Sequence, residues 1–165
     1  MNPYKLTHFS KYDNESLDKL IPMADKDFGN CAKPALGLWL SDETDYGWKE
    51  WCTDEEFRLE CLKHPYSVEL DPKHTLHICG PDELVEFSKN YGRFTEKRVP
   101  WETSLAMGIH WNRVAKEYKA VVITPYIDGW LIMESPWYAG WDCASGVVMD
   151  ESVIVNFEYL GGSDI

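Results

Sequence analysis

The stretch "AVVITPYIDGWLIMESPWYAGWDCASGVVMDESVIVNFEYL", residues 120–160, decides how this chain folds. Its Val- and Ile-rich runs are cut by Pro, Gly and Asp, which is the punctuation of short strands. Strands are expected at 120–126, 129–135, 145–150 and 152–160, with an aromatic loop, "PWYAGWD", at 136–142. In the last of them Val153, Val155, Phe157 and Tyr159 alternate with polar or exposed positions.

Towards the N-terminus the period changes. "IHWNRVAKEYK" (109–119) carries Trp111, Val114, Ala115 and Tyr118 on one helical stripe, and "GPDELVEFSKNYG" (80–92) does the same with Leu84, Phe87 and Tyr91, with Pro81 suited to its first turn and Gly92 to its end. "YSVEL" (66–70) and "TLHIC" (75–79) read as consecutive strands. "TDEEFRLECLK" (53–63) opens with Thr53 and Glu56 at capping-box spacing, so a helix is expected to begin there. "LGLWLS" (36–41) is a strand, "DNESLDKLIPMA" (13–24) a helix stopped by Pro22, and "YKLTHFS" (4–10) the first strand. The order is mixed rather than a regular strand–helix alternation, which is the pattern of an α+β fold.

At 165 residues, 44% of them hydrophobic and 14% aromatic, the chain reads as one domain, 1–165, able to bury a core without staples. The first twenty residues lack the apolar run of a signal peptide, and no stretch is long and apolar enough to span a bilayer. Five cysteines, an odd number without paired short spacings, read as reduced thiols and a cytoplasmic location. The net charge of −12 repels nucleic-acid phosphate and favours a basic partner surface. The charge is uneven: residues 88–119 hold seven basic side chains against three acids, a net +4, so the remainder is −16.

The common catalytic templates are missing. There is no phosphate-binding glycine loop, nucleophile elbow or zinc-protease helix. His74, His77 and Cys79 in "HTLHIC" lack an evident fourth ligand, so no metal site is expected. Cys52, Cys61 and Cys143 read as small packed thiols.

Two motifs remain. In "LTHFS" His8 and Ser10 lie two apart and so share a strand face. "GLWLSD" follows at 37–42, with Trp48 and Trp51 beyond it. Together these resemble the ADP-ribosyltransferase superfamily, in particular its branch related to poly-ADP-ribose polymerases. That family has a His-x-Ser/Thr motif in an early strand and a Gly-aliphatic-aromatic strand ending in a small residue. An aromatic about a dozen residues on stacks on nicotinamide, and a glutamate begins a late strand.

By this resemblance His8 and Ser10 match the first motif, and Gly37, Trp39 and Ser41 the second. Trp48 or Trp51 is the stacking aromatic. Ser145 falls where the family has its glutamate; Asp142 is the nearest carboxylate, with Glu134 a further one from the preceding strand. The resemblance implies mainly antiparallel split sheets with flanking helices, NAD as substrate, and a protein or nucleic-acid acceptor for ADP-ribose. His8 and Asp142 would be catalytic. Two other readings stand beside it: a module that binds NAD or ADP-ribose without turnover, and an acidic protein that blocks a basic surface by imitating nucleic acid.

Overall fold

The computed structural model describes residues 4–21 and 26–162. Its centre is built from the most apolar short runs of the sequence. "AVVI", strand β7 (Ala120–Ile123), and "SGVV", strand β8 (Ser145–Val148), are buried along their whole length and pair antiparallel. A strand buried on both faces reads as a continuous apolar run rather than an alternation. Val121, Ile123 and Val147 face one core, and Ala120, Val122 and Val148 face another.

From this centre the sheet grows in both directions. β4 (Thr75–Ile78) pairs parallel with β7 and forms one edge. β2 (Leu38–Ser41) pairs antiparallel with β8, from Leu38 opposite Val148 to Ser41 opposite Ser145. Beyond β2 come β1 (Tyr4–Ser10), β3 (His64–Leu70) and, at the other edge, β9 (Ile154–Tyr159), giving the order β4-β7-β8-β2-β1-β3-β9. β1 and β3 pair over seven residues, whereas β1 and β2 share one bridge, Thr7 opposite Ser41. The sheet is therefore a group of four strands and a group of three, joined at a single point. It is mostly antiparallel and curls around the core formed by Leu6, Leu38, Leu40, Val68, Leu70 and Val122.

The opposite core is aromatic. α3 (Pro81–Tyr91) and α4 (Trp111–Glu117) lay Leu84, Phe87, Trp111 and Val114 on it. A small hairpin of β5 (Gly92–Phe94) and β6 (Ala106–Ile109) continues from α3. The "PWYAG" segment closes this core as a 3-10 turn, Pro136–Gly140, burying Trp137 and Tyr138, with Trp141 just beyond. This is an α+β arrangement, with short helices α1 (Leu17–Leu20) and α2 (Trp48–Asp54) completing it.

Three expectations are corrected. The helix expected at 53–63 is instead α2, which ends at Asp54, followed by a 3-10 turn at Leu59–Leu62. Its start lies at Gly47–Trp48 because the Ser41 hydroxyl accepts the Trp48 N–H at 2.6 Å, and Gly47 lets the chain turn tightly there. Thr53 is no cap; its hydroxyl donates back to the Lys49 carbonyl. The strand expected at 129–135 is a 3-10 turn, Gly129–Ile132, begun by the Asp128 carboxylate accepting the Trp130 N–H. Trp130 and Met133 are exposed, while Ile132 between them packs into the aromatic core. Of the helix expected at 13–24, Leu17–Leu20 is helical among the described residues, and 22–24 with Pro22 lie outside them. The last strand is an edge, so its alternation is blunted: Val155 and Tyr159 stay exposed while Phe157 packs. No helix among the described residues is long and apolar enough to cross a membrane.

Candidate functional site

The point where β1 and β2 meet and then part is also where a cleft opens. Its volume is about 320 Å³, at the small end of the roughly 300–1,000 Å³ of small-molecule pockets. Thr7, His8 and Phe9 of β1 form one wall, and Trp39, Leu40 and Ser41 of β2 another. Trp48 enters from the first turn of α2, Asp142 and Ser145 from the approach to β8, and Lys33 and Arg58 from loops.

His8 spans the seam. Its Nδ1 lies 3.1 Å from the Trp39 carbonyl. A carbonyl only accepts, so the Nδ1–H donates and a neutral ring leaves Nε2 bare. Nε2 is buried without a hydrogen-bond partner in the protein. Burial holds the imidazole below its ordinary value, against the smaller opposing pulls of the Trp39 carbonyl and the Glu15 carboxylate. At neutral pH His8 therefore holds an unused acceptor, buried beside the cleft.

The aromatic wall is layered. Trp48 and Trp51 stack with ring centroids 5.0 Å apart and planes 15° from parallel, and Phe57 meets both edge-on. Trp48 faces the cleft, with Trp51 behind it as support. Trp39 stands edge-to-face against Trp141, centroids 4.9 Å apart. Trp39, Trp48 and Trp141 all line the cleft.

Charge enters through three side chains. The Lys33 ammonium is 3.4 Å from Asp142 Oδ2 and 5.5 Å from the Trp39 ring centroid. Arg58 adds a second cation, from a residue held at φ +47°. In a chain of net charge −12, a cleft carrying two cations against one carboxylate is matched to a ligand with anionic groups.

Of the residues singled out in the sequence, His8, Trp39, Ser41, Trp48, Asp142 and Ser145 line one cleft. The others do not. Ser10 is buried and donates to Glu15 while accepting the Tyr12 N–H. Gly37 serves the backbone: its φ is +146°, and a Cβ there would come within 2.6 Å of Val147. Glu134 is exposed, just after the Gly129–Ile132 turn rather than on a strand. Two lining hydroxyls are already engaged, Ser41 with Glu43 and the Trp48 N–H, and Ser145 with the Cys143 carbonyl. Thus Ser145 supplies no carboxylate at the start of β8, and its hydroxyl proton is already given to the Cys143 carbonyl.

Lys33, Arg58, Cys61 and Trp141 line the cleft without any sequence signal, because they arrive on loops or turns with no period to read. The histidine–cysteine cluster disperses: His74 bonds Asp71, and His77 bonds the Thr124 carbonyl. No group of three or more metal-ligating side chains exists among the described residues. Comparison with family models, with curated proteins and with solved structures finds no match.

Proposed function

We propose that the cleft binds NAD and that the protein is an ADP-ribosyltransferase-like enzyme. The observation that carries this reading is the seam: a histidine with a bare buried Nε2, an indole wall and a carboxylate meet where two strand groups touch at one residue pair. A flat nicotinamide ring gains from stacking against Trp39 and Trp48. His8 Nε2 accepts from a ribose hydroxyl, and Lys33 and Arg58 answer the negative diphosphate.

The chemistry asked of the site is cleavage of the bond between the ribose C1′ and the ring nitrogen. The bonding pair leaves with nicotinamide, which becomes neutral, and positive charge develops on the sugar. In this reading Asp142 steadies that charge, the electrostatic task met in glycoside cleavage. An acceptor nucleophile then bonds to C1′ and gives up its proton. A narrower reading, binding of NAD or ADP-ribose without turnover, is favoured by one observation: the first residue of β8 is Ser145, whose hydroxyl is spent on the Cys143 carbonyl.

The test is thermal. NAD, ADP-ribose and nicotinamide are each added to the folded protein, since a ligand of the native state raises its melting temperature. A rise with NAD together with nicotinamide release, the release lost and the rise kept in Asp142→Asn, supports transfer. A rise without release selects the narrower reading. No rise with any of the three overturns both.

A further inference from the structure

One contact in the cleft is not needed for packing. The half-exposed Lys33 leans its ammonium towards the Trp39 ring and the Asp142 carboxylate at once, at 5.5 Å and 3.4 Å. An aromatic face and a carboxylate converging on one positive charge is how proteins recognise cationic ligands. We infer that Trp39 and Asp142 form a cation subsite, which Lys33 fills in the free protein and which a positively charged heteroaromatic ring takes over on binding.

The exchange is cheap. An ion pair between exposed side chains contributes little net stability, and the four-carbon stem of lysine rotates freely once its head is released. It also gives the cleft a preference. A pyridinium ring replaces both contacts that the ammonium loses, whereas a neutral ring of the same shape replaces only the stacking. Trp39 and Asp142 set that preference, and Lys33 sets a threshold common to both rings: the face stays covered until a ligand displaces the ammonium. This inference rests on the NAD reading and sharpens it to the charge of the ring.

The experiment compares 1-methylnicotinamide, methylated on the ring nitrogen and so cationic, with neutral nicotinamide, by calorimetric titration of wild type, Lys33→Met and Arg58→Met. Arg58 lines the same cleft outside this contact, so its loss reports the general effect of removing one positive charge. Lys33→Met is expected to tighten both probes by roughly threefold to tenfold. Arg58→Met is expected to leave nicotinamide unchanged. Adding Asp142→Asn to Lys33→Met should erase the preference for the cation. Equal effects of Lys33→Met and Arg58→Met, or none from Lys33→Met, overturn the inference. If ADP-ribose raises the melting temperature but neither pyridine probe binds any form, the subsite falls and nucleotide binding stands. If NAD, ADP-ribose and both probes all fail, the functional reading falls and takes the subsite with it.

Discussion

His8 donates its Nδ1–H to the Trp39 carbonyl 3.1 Å away, and this bond crosses between two strands whose ladder is the single Thr7–Ser41 bridge. A side chain here does work that the backbone ladder leaves undone. It also fixes the tautomer, and with it leaves Nε2 as the unpaired acceptor.

A pH dependence follows. The folded His8 titrates below its ordinary value of 6.5 because burial disfavours the charged ring. Above pH 6.5 both folded and unfolded states hold it neutral, and it has no effect. As pH falls below 6.5 the unfolded chain takes up the proton first, so stability drops until the folded ring also titrates. Melting temperature should therefore decline on acidification through that window, and the decline should be shallower in His8→Asn. Equal slopes for the two proteins refute the assignment.

Trp48 and Trp51 separate recognition from support. Removing a stacking indole from a nucleotide site costs roughly tenfold to a hundredfold in affinity. Trp48→Ala should lose about that much ADP-ribose affinity in calorimetric titration. Trp51→Ala, which removes only the ring behind Trp48, should lose a few-fold. The opposite ranking would place the ligand on the wrong face of the stack.

Thiol labelling maps the cleft. Burial raises Cys52 to about 11 and Cys143 to about 12, so neither supplies thiolate at pH 8. Cys31 and Cys79 are exposed, and Cys61 lines the cleft half-buried. Mass spectrometry after brief alkylation should find Cys31 and Cys79 modified first, Cys61 more slowly, and Cys52 and Cys143 only on unfolding. ADP-ribose should protect Cys61 and leave Cys31 unaffected.

Ser88 is the polar knot of the aromatic core. Its buried hydroxyl accepts from Trp137 Nε1 at 2.8 Å and from Ser135 at 2.9 Å, and donates to the Leu84 carbonyl. Ser88→Ala leaves two buried donors unpaired, a loss of about 2–3 kcal/mol. For a chain of this size that is a melting temperature lower by about 5–10 °C. A change within 2 °C would mean that water replaces the hydroxyl.

Local period explains what the sequence revealed and what it hid. β1 (Tyr4–Ser10) and α3 (Pro81–Tyr91) match their expected bounds because each carries a complete run with a clear end. The helix start at Trp48 was hidden because it depends on a hydroxyl seven residues earlier, while Thr53 and Glu56 offered a local imitation of a cap. The turn at Gly129–Ile132 was hidden because the Asp128 carboxylate starts it. Among the described side chains of that apolar run only Ile132 is anchored in the core, which leaves no strand-like alternation. In the cleft, His8, Trp39, Trp48 and Asp142 could be assembled from motifs, since strands and their flanks keep the motif spacing. Lys33 and Arg58 could not: their approach is a property of loop paths, and only the folded chain sets those.

Trp141 has a place in two neighbourhoods. It stacks on Trp111 inside the aromatic core, planes 23° apart, and meets Trp39 edge-on at the cleft. An interior change at Trp111, even one tolerated by folding, would thus tilt the indole that backs the ligand's own wall. Variation deep in this chain and variation at its mouth are not independent, and an engineer who repacks the first retunes the second.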